Sequence, residues 1–311
     1  MPPGVEELKS YEDIVHAIAA LKAMYPDLKK AILKLNEGFS GDGNAVLRYP
    51  EHLNSKELFD WVTHNLYKQI NPVAREMSIE KFLQKFHDMG GVAEAFLEGE
   101  IKASPSVQCR ITPLGEVEII STHDQVLGGE SGQQFIGALF PCNEAYRKEI
   151  TAYAKTIAEE LKTKGVLGRF SIDFISVKQN DQWNHYAIEI NLRKGGTTHP
   201  YLLLQFLTSG HYHEESGLFE TQNNEHRYYF ASDNLQNDAY KGLTPLDLID
   251  IAMFHGLQFD AASEKGIMFH MIGALSQYGK MGIICIGGSQ EEAYSYYQKA
   301  IEVLDAETGG N

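Results

Sequence analysis

Two strand-like stretches of this chain carry a set of oxygen donors. In Tyr186-Ala187-Ile188-Glu189-Ile190-Asn191-Leu192 the residues alternate with period two. The alternation predicts His185, Ala187, Glu189 and Asn191 on one face and Tyr186, Ile188, Ile190 and Leu192 on the other, apolar face. Residues 168–177 alternate as well, with Asp173 between Ile172 and Phe174. The link at 178–184 is polar, so the two stretches read as a hairpin. With Asp181 at the centre of the turn, Asp173 lies across from Glu189. Like charges opposed on a sheet repel, and a bound cation reverses that sign. Asp173, Glu189 and Asn191 offer oxygen ligands of the kind hard cations such as magnesium prefer, and are the candidate metal set. The competing reading is an edge hairpin with its polar face in water.

A second feature lies upstream. The short strand Ala31-Ile32-Leu33-Lys34-Leu35-Asn36 leads into Gly38, Phe39, Ser40, Gly41, Asp42 and Gly43, and residues 44–48 form the return strand. Glycines let backbone N–H groups converge on an anion, because no Cβ blocks the approach. Ile32, Lys34 and Asn36 share a face, so Lys34 reaches over the same place. The lysine precedes the glycines, which excludes the Walker order, and a dinucleotide-binding fingerprint opening a helix is absent too. Taken alone, the loop reads equally well as a plain hairpin turn or as a phosphate cover.

The elements that must hold these residues follow from periodicity. Ser10 and Asp13 mark a helix start, with Ile14, Ala17, Ile18 and Leu21 on one face and Pro26 beyond its end. Helices are expected over 55–70, 78–89, 144–164, 201–207, 244–255 and, from the capping pattern Ser289…Glu292, 289–306. Strands are expected at 92–97, 106–111, 116–125, 227–231, 266–275 and 281–286. Residues 1–4 read as a loose end, 128–137 as a glycine-rich connection, and 210–224 as a polar loop whose His211 and His213 lack a third metal partner.

Composition bounds the rest. The chain has 311 residues, 43% hydrophobic, with a formal net charge of -15. That charge argues against nucleic acid or an anionic membrane as a generic partner. Cys109, Cys142 and Cys285 are scattered, with no Cys-x-x-Cys, which suggests a reducing, cytoplasmic setting. With Glu6, Glu7 and Lys9 near the start and no apolar segment there, no signal peptide is expected, and no apolar run approaches membrane-spanning length.

The order of features is more specific than any one of them. A lysine strand, a glycine hairpin, Glu94-x-x-Leu97-x-Gly99-Glu100 and a hairpin with Asp then Glu-x-Asn together resemble the ATP-grasp superfamily over roughly residues 31–207. Gly168-Arg169-Phe170, the run Ile188 through Arg193-Lys194-Gly195-Gly196-Thr197-Thr198-His199-Pro200, the segment 121–129 and the segment 269–288 look most similar to the pheganomycin-type peptide ligases.

The resemblance implies an α+β fold of two lobes with antiparallel sheets enclosing a nucleotide cleft. Residues 1–97 would form the small lobe with its N-terminal helix, and 98–311 the large lobe with an α+β extension. Lys34 would contact phosphate oxygens under the loop of Gly38, Phe39, Ser40, Gly41 and Gly43. Glu94 would meet the adenine amino group within a hinge of Ala95, Phe96 and Leu97, with the backbone of Ala95 and Leu97 bonding the ring edge. Glu100, or else Glu98, would hold the ribose, and Gln125 would face ATP from the sheet that also carries His123. Asp173, Glu189 and Asn191 would bind Mg2+. Arg193 and Lys194 would steady an acylphosphate, and Arg169 would hold a substrate carboxylate.

The implied activity is ATP-dependent joining of a small-molecule carboxylate to an amine, an amino acid or peptide. Two alternatives are a non-catalytic ATP-binding module and a small-molecule kinase on the same scaffold. Only about thirty residues precede the lysine strand, where this superfamily usually carries a further domain; the expectations are that the chain is a fragment, that a separate partner or a homo-oligomer supplies the part, or that the substrate side differs.

Overall fold

Alternation builds the first sheet. In a computed structural model describing residues 1–37, 43–50, 55–74, 77–128 and 134–309, the chain divides into two compact units. One comprises 1–100 with 128–135; the other comprises 101–127 with 136–311.

The first unit contains β1 (Gly4–Leu8), α1 (Tyr11–Met24), β2 (Lys30–Leu35), β3 (Asn44–Arg48), α2 (Ser55–Gln69), β4 (Ile70–Pro72), α3 (Ile79–Met89) and β5 (Gly91–Ala95). Its five strands pair antiparallel in the order β1-β5-β2-β3-β4. Ala31, Leu33 and Leu35 of β2 point to one face, where they join Ile14, Ile18 and Leu21 of α1 and Phe82 and Phe86 of α3 in a buried core. Truncating one such leucine to alanine costs about 2–5 kcal/mol. Lys30, Ile32 and Lys34 take the opposite, half-buried face. Ser10 caps α1 as its spacing predicts: its hydroxyl accepts from the Asp13 amide at 3.0 Å, and Asp13 accepts from the Ser10 amide at 2.8 Å. The loose end expected at 1–4 is tied down from Pro3, whose carbonyl accepts from the Ala95 amide, and the strand starts at Gly4. Residues 4–8 form the edge strand β1, paired to β5 with a register shift between Val5 and Leu8.

The second unit contains β6 (Ile101–Ala103), β7 (Pro105–Ile111), β8 (Val117–Gly128), β9 (Gln134–Phe140), α4 (Glu144–Thr163), β10 (Gly168–Gln179), β11 (Gln182–Asn191), α5 (Thr198–Thr208), β12 (His211–His213) and β13 (Leu218–Glu220). It continues through β14 (Tyr228–Gln236), α6 (Pro245–Phe254), β15 (Gly266–His270), α7 (Leu275–Tyr278), β16 (Lys280–Gly287) and α8 (Gln290–Thr308). A nine-stranded sheet runs β11-β10-β7-β8-β9-β14-β16-β15, with β6 beside β10. The helix α4 covers Val107, Cys109, Phe170, Ile172 and Phe174 on one face near β10. On the other face, α5 lays Tyr201 and Leu204 against Phe140 and Tyr229. At the far end, Met281, Ile283 and Cys285 pack with Ala300 and Leu304 of α8. The glycine-rich connection expected at 128–137 ends in a strand, since β9 pairs with β14. The loop expected at 210–224 holds the small hairpin β12–β13. All three cysteines are buried and free. Among the described residues no helix is long and apolar enough to cross a membrane.

Candidate active site

The hairpin β10–β11 sets the acidic pair. Asn180 and Asp181 both have positive φ, 50° and 61°, and Gln179 pairs with Gln182. That is a two-residue turn of the type that matches strand twist. Counted straight back from it, Asp173 would meet Ile188. A register shift intervenes: Phe174 pairs with Ala187 and Asp173 with Glu189, so Ile188 is the extra residue of a bulge. The opposition of Asp173 and Glu189 therefore holds, although the turn is not centred on Asp181.

The bulge overturns one expectation. Phe174 and its partner Ala187 face the core under α4. His185 is on that face too, 2.8 Å from the Ser176 hydroxyl and 3.3 Å from a Glu149 carboxylate oxygen of α4. Asp173 precedes Phe174 and takes the opposite face, and Glu189 across from it follows. His185 and Ala187 thus do not share a face with Glu189 and Asn191, because one additional residue inverts the alternation.

Around Asp173 the polar groups converge. Its Oδ1 accepts from Ser106 Oγ at 2.6 Å and its Oδ2 from Asn191 Nδ2 at 3.2 Å. Arg193 Nη2 donates to Asn191 Oδ1 at 3.2 Å. The Asp173 carboxyl is pushed up to about 6, chiefly by burial and further by the Glu189 charge, against hydrogen bonds from Ser106 and Gln125 and the charge of Arg193. No three His, Cys, Asp or Glu side chains gather into a metal site among the described residues. The candidate set is two carboxylates and an amide. A half-buried carboxyl held out of its usual range beside a second carboxylate fits a hard divalent cation, which would relieve both causes at once. Arg193 and Lys194 are exposed on the segment after β11.

In the first unit, Lys34 and Glu94 lie diagonally across β2 and β5, since Lys34 pairs with Val92 and Ile32 with Glu94. Their side chains meet, Nζ to Oε2, at 2.6 Å. Half-buried Ile32, Val46 and Val92 flank them. Past β5, the Ala95 amide donates to the Pro3 carbonyl at 2.8 Å and the Phe96 amide to the Lys30 carbonyl at 3.1 Å. The Ala95 N–H is thus already engaged by the chain itself. Lys30 sits 4.9 Å over the Phe96 ring and 2.8 Å from Glu98, while Leu97 is half-buried and Glu100 exposed. Gly43 is buried, its carbonyl accepting from the Leu35 amide. Gly38, Phe39, Ser40 and Gly41 lie outside the described residues.

His123 takes a core role. It is fully buried, bonded through Nε2 to the Tyr229 hydroxyl at 2.6 Å, and burial lowers its pKa to about 3, so it stays neutral. Gln125, two residues on, reaches Asp173. Sequence reasoning missed Ser106, Gln108 and Ser121. A signal was available for Ser106 and Gln108, which alternate with Val107 and Cys109; Ser121 opens a run of polar residues and gives none.

Comparison with known proteins bears on the family and the fold. The family described as IQCH-like, ATP-grasp matches residues 56–215, and the PGM1 C-terminal domain family matches residues 247–300. L-propargylglycine--L-glutamate ligase of Streptantibioticus cattleyicolor is 27% identical over 307 residues, covering 98% of this chain and 60% of that protein. Among solved structures, the biotin carboxylase domain of Hydrogenobacter thermophilus 2-oxoglutarate carboxylase, in complex with ADP and its magnesium salt, superposes with a TM-score of 0.59 at 15% identity, over 97% of this chain and 62% of that one. The ADP complex of N5-carboxyaminoimidazole ribonucleotide synthetase gives a TM-score of 0.56 at 14% identity, over 98% of this chain and 67% of that one. The likeness shows that this chain shares with these structures the mixed helix and antiparallel-sheet fold. Since the first-named family covers just over half of its residues, the chain belongs to the IQCH-like ATP-grasp family.

Proposed function

We propose that this chain joins a carboxylate to an amine at the expense of ATP, through an acylphosphate, with release of ADP and phosphate. The observation that carries the reading is the Asp173–Glu189 pair with Asn191, a like-charged set on one sheet face that asks for a divalent cation. The named ligase that it resembles along nearly its whole length supports it; the chain spans 60% of that protein.

In this reading Lys34 leaves Glu94 in part to meet phosphate oxygens, and Glu94 turns to the adenine amino group. The residues Gly38, Phe39, Ser40, Gly41 and Gly43 cover the phosphates, and Glu100 takes the ribose. Bound at Asp173, Glu189 and Asn191, Mg2+ would neutralise phosphate charge. Gln125 and Ser106 hold Asp173 in place by hydrogen bonds. A carboxylate oxygen of the acid attacks the γ-phosphorus and ADP leaves. The amine nitrogen then attacks the acyl carbon, phosphate leaves, and the amine proton passes to solvent. Arg193 and Lys194 steady the charged intermediate through hydrogen bonds to its phosphoryl oxygens.

The test pairs amino acids and short peptides as acid and amine, with ATP and Mg2+, and measures ADP and phosphate. ADP formation that needs both partners is expected. ADP formation with the acid alone and a stable phosphorylated product would make the chain a kinase. No thermal shift with ATP in either the presence or absence of Mg2+ would end the nucleotide reading.

A further inference from the structure

Read from the sequence, His211 and His213 lack a third partner; the fold brings them two. Strands β12 and β13 form a two-stranded sheet of their own, separate from the nine-stranded sheet that carries Asp173. His211 and His213 alternate with Tyr212, which packs against the core cluster holding its strand partner Phe219. The two histidines therefore take the opposite face. Glu220 pairs with His211 across β12–β13, and His226 pairs with Glu220 from its other side. Residues directly opposite on neighbouring strands share a face, so His211, His213, Glu220 and His226 occupy one patch. Backbone bonds fix its far edge. The Thr221 amide donates to the Glu225 carbonyl at 2.9 Å, and the Arg227 amide to the Phe219 carbonyl at 3.2 Å.

Distances within the patch suit a single ion. The His211 and His213 ring centroids are 4.3 Å apart. Glu220 Oε2 lies 3.8 Å from His213 Nε2 and 4.0 Å from His226 Nε2. Both separations are too long for hydrogen bonds. His213 Nε2 is buried and has no hydrogen-bond partner among the described residues. Buried polar atoms are nearly always partnered, by protein, water or an ion. A second such atom, the Ser121 hydroxyl, lines a small pocket with Arg169 and Gln108, but Gln108 is bonded through Ser106 to Asp173, so that pocket belongs to the acidic site.

Atoms bound to one zinc ion, each roughly 2.0–2.2 Å from it, stand about 3–4 Å from one another. The two Glu220 distances lie at the wide end of that span. The donors are thus not yet gathered on one point. A small rotation of the exposed His226 and half-buried Glu220 side chains would close them. Donor chemistry selects the ion. Asp173, Glu189 and Asn191 offer oxygen, which suits magnesium, whereas imidazoles with one carboxylate suit zinc. We propose that His213, Glu220 and His226 bind a Zn2+ ion, with a fourth position open to His211 or water. The ion pins the β12–β13 hairpin to the chain entering β14. The site does not depend on the ligase reading.

The test is calorimetric titration of Zn2+ into chelator-treated protein at pH 7, with Mg2+ in excess so that oxygen sites are filled. One Zn2+ per chain and a higher Tm are expected. His213→Ala and Glu220→Gln each remove a ligand. Each should weaken Zn2+ by more than the roughly tenfold that loss of a supporting group alone costs, and should abolish the Tm gain. His199 and His270 form another close histidine pair, with ring centroids 4.6 Å apart. His270→Asn is therefore the control and should bind Zn2+ as wild type does. Co2+ in place of Zn2+ should give the strong visible absorption of a four-coordinate site in wild type and not in Glu220→Gln.

Absence of saturable Zn2+ binding by wild type would overturn the site. So would wild-type affinity in both His213→Ala and Glu220→Gln, or loss of binding in His270→Asn alone. Should His213→Ala lose its fold, Glu220→Gln decides by itself.

Discussion

Two charged pairs, one on each sheet, are built in opposite ways. In the first unit Lys34 meets Glu94 at 2.6 Å, with side chains 18% and 15% exposed, and the pair is neutral. In the second unit Asp173 faces Glu189 across the ladder, and the Asp173 carboxyl is pushed up to about 6. The first pair is closed on itself. The second sets two carboxylates across from each other, and burial together with that repulsion raises the Asp173 pKa.

The widest separation between the two pairs should come from Glu189→Ala. Mg2+-dependent ATP turnover is expected to fall on the order of 10³-fold, with the circular dichroism spectrum retained. The Tm without metal should hold or rise, since a repulsion is removed. Wild-type turnover in that variant would refute the metal assignment.

Lys34→Met should act the other way. It strands a half-buried Glu94 and should destabilise the first unit by about 2–3 kcal/mol in urea unfolding, with ATP affinity at least tenfold weaker. Lys34→Met/Glu94→Gln should regain most of the stability and none of the affinity. Stability losses that simply add would show that the two side chains are not coupled.

The third comparison is in pH. The Asp173 pKa is raised in the fold from its ordinary 3.8 to about 6. Its neutral form is favoured by folding, so its contribution to stability is present below about pH 4 and is lost as pH rises through 6. Mg2+ needs the ionised form, so the Tm gain from Mg2+ should be small at pH 5 and complete by pH 7. Asp173→Asn should flatten that profile. A Mg2+ response independent of pH in the wild type would contradict it.

The smallest effect sharpens the division itself. Ser10→Ala removes the α1 cap and should cost about 1 kcal/mol. The loss should appear in unfolding of the first unit, with the Mg2+ response unchanged.

What the sequence disclosed was local. The Ser10…Asp13 cap, the hairpin and the opposition of Asp173 to Glu189 were legible because each depends on residues close in the chain. The closed pair was not: Lys34 and Glu94 belong to different expected elements, and only the β2–β5 register brings them together. The strand β1 was hidden because Val5-Glu6-Glu7-Leu8 lacks alternation, and its extended form comes from pairing with β5. In β9, Gly137 looked like loop composition. A Cβ there would stand 2.5 Å from the Ala231 carbonyl oxygen, so this glycine marks a close strand approach instead. Arg169 could be singled out, but not Ser121, whose lack of a partner is a property of three dimensions.

The unmatched Ile188 has a consequence for how this hairpin tolerates change. Its presence makes the count from turn to carboxylate even on one arm and odd on the other. Most side-chain exchanges between the turn and Glu189 would leave that parity intact. Deleting Ile188 would restore the straight count from the turn and still set Glu189 across from Asp173 on the same face. What the additional residue supplies is therefore a local bend and added twist of β11 beside the carboxylates, not their opposition.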